Sequence, residues 1–564
     1  MDRVVRLQVM LICAMSVLAL RLVHLQLIRG GAYRQLAEQN RLRVVPEQAP
    51  RGLIVDRRGR ILADNHTVFR VALVPQELKD AGVVLTQLSP LVGRAPEQLR
   101  REYQKERNLS FMPAVIVSSV PKDVALRLEE ERWQLPGLLI KPETVRRYPR
   151  GSTAAHVLGY LSEPTAEELP VMKQYGVRAK QLVGRMGIER MLDTALRGKP
   201  GGLMVEVNSR ARQVRVLGRR EPVAGARVEL TIDAQLESLI EETFGPQPGA
   251  AVVLDPETGE VLAMVSVPSF SPEAFLSTDR RAVARLLDDA NSPLMNRATT
   301  GAYPPGSTAK LVTAMAGLEQ HAMTPADSIQ CGGALTIGDR DFHCWNRDGH
   351  GPMNLTEALL QSCNVYFMTI GRRVGLTHLR TSLERVGFGR RTGWPLEEQP
   401  GHLPKRRLTE GEVALLAIGQ SEFLVTPLQN AVMVAAFANG GWLVQPWLIR
   451  SVGSRQPTRP KGRQKIGWNP EAMEAVRAGM RAVIQHPSGT GHRAMTPVIS
   501  IAGKTGTAQT HIPDHSHGWF VGYCPADHPR AAMAIVAEFG GSGGDLPAEI
   551  ARTICEYIAA PETL

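Results

Sequence analysis

Apolar residues run unbroken but for Gln8 and Ser16 from Leu7 to Leu20 (LQVMLICAMSVLAL), and a second apolar patch follows from Leu22 to Ile28. The first run is shorter than the ~20 residues a spanning helix needs. Arg21 can snorkel its charge outward and extend the span to Ile28. No Ala-x-Ala-like cleavage site follows, and Cys13 is preceded by Met10, Leu11 and Ile12, not by small residues. One uncleaved membrane anchor is therefore expected over 1–29, in preference to a signal peptide, a lipoprotein or a buried N-terminal helix. Arg3 and Arg6 precede the span and Arg29 and Arg34 follow it, so basic flanks do not set its orientation.

Beyond the anchor, the polar, Arg/Gln-rich residues 31–50 read as a juxtamembrane stalk. RGLIVDRRGRILADN (Arg51 to Asn65) is a strand, a glycine turn and a strand. From Val68 to Val223 short strand-like and helix-like patterns alternate without a catalytic signature, as in a spacer or binding module. A boundary falls near Ala226: ARVELTI alternates as a strand, and Asp233 can cap the helix QLESLIEETF. Ala250 to Val267 is the strongest hairpin pattern in the chain. TPLQNAVMVAAFANGG places Thr426 as a helix cap with Pro427 at the first position, and Asn439 ends the helix. Ser451 to Lys465 is basic, Pro/Gly-rich and expected as a surface loop. AAMAIVAEF reads as a buried strand, and Ile550, Ile554 and Ile558 recur at helical spacing. Strands and helices mix without regular β-α-β alternation, which predicts an α+β catalytic domain over 226–564 behind a non-catalytic domain over 30–225.

The length of 564 residues agrees with more than one domain. The net charge of +11 calls for an anionic partner. No basic block with interleaved aromatics occurs, so a membrane surface accounts for the charge and nucleic acid is not expected.

Three short motifs carry chemistry. PPGSTAK gives Ser307-x-x-Lys310; Pro304, Pro305 and Gly306 cannot continue a helix backwards, so Ser307 starts one, with Leu311, Met315 and Leu318 as its buried stripe. Three residues apart, Ser307 and Lys310 share a helical face. A serine hydroxyl needs a base, and a desolvated lysine kept neutral can serve. QSCN gives Ser362-x-Asn364, a hydroxyl for proton relay and an amide to hold the substrate carbonyl and the lysine. GKTGT gives Lys504, Thr505, Gly506 and Thr507 before a strand pair. Lys504 and Thr505 suit a substrate carboxylate, and Gly506 clears space for an added strand. The backbone N–H groups of Thr507 and Ser307 could form an oxyanion hole. Singly these motifs are weak, since Ser-x-x-Lys or Ser-x-Asn arises by chance about once in every two chains of this size. Their order, on helix start, loop and strand, lifts the joint reading above chance.

With these residues in view, the sequence resembles the class B penicillin-binding proteins over almost its whole length. RGLIVDRRGRILADN and GRMGIERMLDTALRGKPG (Gly184 to Gly201) resemble the family's two pedestal motifs. PLMNRATTGAYPPGSTAK, AIGQSEFLVTPLQNA, AGKTGTAQ and HGWFVGYCP match its catalytic domain. The spacing of the second pedestal motif and WNRDGHGPMNL before Ser362 favour the elongation type over the division type. The resemblance implies an elongated pedestal and a transpeptidase domain with an antiparallel sheet flanked by helices, held outside the cytoplasmic (inner) membrane. It implies that Ser307 attacks the penultimate D-alanine carbonyl of a stem pentapeptide, that β-lactams acylate the same serine, and that no cofactor is required for the chemistry. It also implies partnership with a SEDS-family (RodA-like) glycan polymerase and rod-complex scaffold proteins. A serine β-lactamase or D,D-carboxypeptidase is disfavoured because no Glu-x-x-Leu-Asn element lies between Ser362 and Lys504. A non-catalytic β-lactam sensor or scaffold is disfavoured because every motif residue is intact.

Five of the six cysteines lie beyond the anchor. Cys331, Cys344, His350 and Cys363 form a Cys3His set able to take a structural zinc, although the gaps exceed those of a zinc finger. A Cys331–Cys344 disulfide and simple buried thiols remain alternatives. Cys524 and Cys555 are expected as packed thiols that could pair if the last helix covers the strand.

Overall fold

The computed structural model describes residues 2–560 apart from 32, 34–41, 108–112, 174–180, 209–212, 277–279, 457–461, 511 and 514. The chain divides into two compact units. The first comprises 1–52, 65–146 and 197–225, and the second comprises 53–64, 147–196 and 226–564.

In the first unit, Val4–Ile28 forms 25 residues of helix that is long and apolar enough to cross a membrane, with none of the span buried. Part of the expected stalk, 34–41, lies outside the described residues. Leu42–Glu47, also within that stretch, is a strand paired antiparallel with Gly201–Val207, which in turn pairs with Gln213–Arg220. A separate core gathers Val71 and Leu73 with Val84, Leu85, Leu99, Ile116 and Leu128 from three helices and a neighbouring strand.

The second unit is built on a five-stranded sheet: β1 (Gly249–Leu254), β2 (Val261–Val267), β3 (Ala502–Gln509), β4 (Ser516–Cys524) and β5 (Ala531–Ala537). Their spatial order is β2-β1-β5-β4-β3, and every neighbouring pair is antiparallel. Helices cover both faces, so β1 and β5 read as apolar runs without polar alternation, and β2 is broken only by the buried Ser266. Alternate residues feed two cores. Val252, Leu254, Val521, Ala534 and Val536 face one, and Ala251, Val253, Phe520, Met533 and Ile535 face the other.

Seven helices matter for the site: α1 (Ala234–Phe244), α2 (Lys310–Glu319), α3 (Leu355–Leu360), α4 (Asn364–Arg385), α5 (Pro427–Ala438), α6 (Pro470–Gln485) and α7 (Leu546–Ala559). Asp233 caps α1 as its sequence position implies, accepting from the Gln235 and Leu236 N–H groups. The expected stripe on α2 is too narrow. Residues 310–317 are buried on every side while Leu318 is only partly covered, because α2 runs through the core of the unit and not across its surface. The expected loop 451–465 begins in a strand at Ile449–Val452 and ends in another at Gln464–Lys465, and its middle, 457–461, lies outside the described residues.

Helix α5 starts with a full capping box. The Thr426 hydroxyl accepts from the Gln429 N–H and the Gln429 side chain accepts from the Thr426 N–H, all of it buried. Thr426→Val keeps the volume and deletes the cap, so it should destabilise this unit by about 1–2 kcal/mol. The readout is the urea midpoint followed by tryptophan fluorescence, and Thr426→Ser should restore it.

Candidate active site

Ser307 lies in a single tight turn, Gly306–Ala309, directly ahead of α2. The Gly306 N–H donates to the Gly419 carbonyl at 2.9 Å, which fixes where the turn begins. Lys310, the first residue of α2, is fully buried while Ser307 is half-buried. The turn abuts the edge strand β3: a side chain at Gly506 would bring its Cβ within 3.1 Å of the Trp519 Cβ, 3.2 Å of the Pro305 carbonyl and 3.3 Å of the Thr308 methyl. The glycine thus makes room for the serine's own turn, a reason for it that differs from the substrate clearance read from sequence.

Ser362 connects α3 to α4 with φ of 52°, a left-handed conformation that costs a non-glycine residue about 1 kcal/mol. That twist aims both its carbonyl and its hydroxyl at Lys310. The Lys310 Nζ donates to the Ser362 carbonyl at 2.8 Å and to the Asn364 Oδ1 at 2.6 Å, with the Ser362 Oγ further off at 3.4 Å. From the other side the Lys504 Nζ donates to the same Ser362 Oγ at 2.9 Å and to the Thr505 carbonyl at 2.9 Å. Residues from three distant stretches of chain therefore meet at one place. Hydrogen bonds join Lys310, Ser362, Asn364, Lys504 and Thr505. Ser307 sits in the turn that leads into Lys310, Gly506 lies against that turn, and Thr507 stands on β3 with its side chain exposed.

Two ammonium groups sharing one hydroxyl in a dry interior cannot both keep full charge. Burial pulls Lys310 down to about 8, against the opposing pull of the Cys363 and Cys344 sulfurs. Burial first and the Lys310 charge second push Lys504 well below the ordinary lysine range. A neutral Lys310 has two N–H bonds, and the two short contacts take both. Its lone pair is then free to accept a proton, as a base for Ser307 must.

Behind this group the ligand atoms of Cys331, Cys344, His350 and Cys363 all lie within 4.8 Å of one another. The His350 Nδ1 is 3.5 Å from the Cys331 Sγ and 3.6 Å from the Cys344 Sγ. Two of the sulfurs accept backbone N–H groups, Cys344 from Asn364 at 3.3 Å and Cys363 from Tyr366 at 3.4 Å. Three sulfurs and one imidazole nitrogen converging in a mostly buried pocket match the donor chemistry of a tetrahedral zinc site. All six cysteines are free thiols here, with Cys524 and Cys555 buried in the core between β4 and α7.

One neighbour of the site carries no mark in the sequence. The Thr505 hydroxyl pairs with the Thr490 hydroxyl at 2.7 Å, and the Ser488 hydroxyl accepts from Gln361, next to Ser362, at 3.0 Å. The run Ser488-Gly489-Thr490-Gly491 reads as an ordinary turn, so no local pattern could have singled it out.

Comparison with known proteins settles the family. Residues 249–556 match the penicillin-binding protein transpeptidase domain, and 46–230 match the penicillin-binding protein dimerisation domain. The chain belongs to the penicillin-binding protein transpeptidase family. It is 32% identical to the peptidoglycan D,D-transpeptidase MrdA of Acinetobacter baumannii, over 97% of this chain and 86% of that one. Penicillin-binding protein PBP2 from Helicobacter pylori, solved in complex with MreC, matches with a TM-score of 0.80 at 28% identity, covering 92% of this chain and 98% of that one. A peptidoglycan synthase complex that coordinates polymerisation and crosslinking matches with a TM-score of 0.75 at 30% identity, covering 98% and 97%.

For this family member the state of Lys310 sets a pH dependence. A Lys310 serving as the base would act as the unprotonated amine, whose fraction rises as pH climbs through about 8. The second-order rate of acylation by a β-lactam should fall close to tenfold per pH unit below that value and level off above it. Stopped-flow acylation of the detergent-solubilised full chain between pH 6 and 9 measures it, and a flat profile would remove Lys310 as the base.

Proposed function

We propose that this chain is a membrane-anchored peptidoglycan D,D-transpeptidase of the elongation type. The observation that carries the proposal is the joint hold of Lys310 and Lys504 on Ser362 beside the Ser307 turn. Lys310 takes the Ser307 proton as the oxygen attacks the penultimate D-alanine carbonyl of a stem peptide. The backbone N–H groups of Ser307 and Thr507 steady the developing oxyanion. Lys504 and Thr505 hold the terminal carboxylate, and Asn364 orients the donor stem. The peptide bond breaks, the proton passes through Ser362 to the departing D-alanine amine, and an acyl-enzyme remains on Ser307. The amine of a neighbouring stem then attacks the ester and restores the serine. A β-lactam enters the first step and stalls at the second.

The apolar helix Val4–Ile28 anchors the chain in the inner membrane, with the catalytic unit on the outer face where stem peptides are found. The match to a PBP2–MreC complex and to a polymerising synthase complex supports a rod-complex scaffold protein and a SEDS-family (RodA-like) polymerase as partners. Residues 30–225 serve as the pedestal that meets them, apart from 53–64 and 147–196, which belong to the compact unit of the catalytic sheet.

The same proposal includes a structural zinc held by Cys331, Cys344, His350 and Cys363. Its support is the convergence of the four ligand atoms. Bound there, the metal would brace the turn that carries Ser362 and add no chemistry.

Fluorescent penicillin should label the full chain at one site, mapped by peptide mass spectrometry to Ser307, and Ser307→Ala should lose the label. Label that persists in the variant, or fast hydrolysis of the drug, would sink the transpeptidase assignment. For the metal, protein purified without chelator should carry about one zinc per chain by elemental mass spectrometry. Cys344→Ser should lose it and lower the thermal midpoint. Zinc far below stoichiometry in the unmodified chain would refute the site.

A further inference from the structure

Two cysteines stand apart from the cluster behind Ser362. Cys524 ends β4 and Cys555 lies on α7, and both are fully buried in the core that the sheet shares with α1 and α7. Two periodicities put them there. Alternate residues of β4 face this core, so Phe520 and Cys524 point into it while Val521 and Tyr523 point to the other. On α7, Ala551, Ile554, Cys555 and Ile558 share one buried face.

Contacts on either side hold the helix against the strand. The Arg530 N–H donates to the Cys524 carbonyl at 2.9 Å, and the Arg530 guanidinium reaches the Ile558 carbonyl near the end of α7. Two residues past Cys555, the Tyr557 hydroxyl lies 3.1 and 3.0 Å from the Asp233 carboxylate oxygens. Between these ties the two thiols are hydrogen-bonding neighbours; burial first and that contact second push the Cys555 thiol well above its ordinary range. Among the described residues, the one group of three or more side chains able to hold a metal is that of Cys331, Cys344, His350 and Cys363. The Cys524–Cys555 pair is therefore suited to each other and not to an ion.

We propose that Cys524 and Cys555 are joined by a disulfide that fastens α7 to the sheet. The inference rests on the outer placement of the catalytic unit proposed above, because disulfides persist in oxidising compartments. The oxidant is a protein disulfide of the thiol–disulfide oxidoreductase class in the compartment that receives the exported chain. One cysteine, as thiolate, attacks a sulfur of that disulfide; the oxidant's S–S bond breaks, one oxidant thiol leaves, and a mixed disulfide remains. The second cysteine, as thiolate, attacks the chain's sulfur in the mixed disulfide and expels the other oxidant thiol. Two electrons pass to the oxidant, and its two thiols take up the protons that the cysteines gave up. In the folded unit neither sulfur is exposed and a buried thiol resists ionising, so the exchange precedes the docking of α7. The finished bond is then closed to reductants.

The test maps the thiols of the full-length protein taken from the membranes of producing cells. Samples are trapped with N-ethylmaleimide in denaturant before any reductant is added, digested, and read by mass spectrometry. The Cys524 and Cys555 peptides should appear linked, and reduction should release both. Alkylated Cys524 and Cys555, or either one linked to a different cysteine, would overturn the inference. Thermal midpoints give a second readout. Cys524→Ala, Cys555→Ala and the double variant should each lose the same amount, about 3–6 °C, because removing either sulfur deletes the whole bond. Losses that add in the double variant belong to separately packed thiols and would also overturn it. A membrane-impermeant fluorescent penicillin applied to spheroplasts of the same cells tests the reading underneath. Label on Ser307 together with free thiols overturns the disulfide alone, whereas linked peptides without label keep the disulfide and overturn the proposed function.

Discussion

Two lysine side chains buried around one serine hydroxyl form the constraint on which the site depends. Taking an unpaired ammonium out of water costs several kcal/mol, and two such groups close together add mutual repulsion. The protein meets that cost with acceptors held in place: the Ser362 carbonyl and Asn364 amide for Lys310, and the Ser362 hydroxyl and Thr505 carbonyl for Lys504. The same burial that makes the pair expensive lowers the affinity of each amine for its proton. An amine that gives up its proton more readily than an exposed lysine is a consequence of where these residues sit.

Those acceptors must themselves stay fixed, and Ser362 is the least comfortable of them. Its left-handed backbone is what presents carbonyl and hydroxyl to the same neighbourhood. Cys363 follows at once, fully buried, with its sulfur capping α4. Cys344, on a separate segment, accepts the Asn364 N–H. The cysteine cluster therefore holds the two residues that follow Ser362, and any looseness there would pass directly into the lysine geometry.

Much of this was legible in the sequence, for reasons that differ by element. The helix cap at Asp233, the Ala250–Val267 hairpin and the capping box at Thr426 are local, because a few adjacent residues specify them. The three short motifs were legible through their order, and the structure brings them together. What could not be read was long-range. Thr490 is 15 positions from Thr505 and carries no pattern of its own. The surroundings of α2 were misjudged because a short helix inside a core needs no amphipathic stripe. Gly506 was recognised, but the side it opens to depends on where a turn far earlier in the chain comes to rest.

The two motifs outside the catalytic sequence show the same logic without chemistry. In RGLIVDRRGRILADN, Ile54–Val55 pairs parallel with Val228–Glu229, and Arg58 forms an ion pair at 3.0 Å with Asp233, the residue that caps α1. In GRMGIERMLDTALRGKPG, a Cβ at Gly187 would lie 2.4 Å from the Val157 carbonyl, and the buried Glu189 accepts from the Tyr148 hydroxyl at 3.2 Å. Ile54, Arg58, Gly187 and Glu189 belong to the same compact unit as the sheet and the lysines. These glycines and charges fasten chain to chain, so the residue types they demand follow from close backbone approach and buried charge, the same two physical demands that shape the site around Ser307.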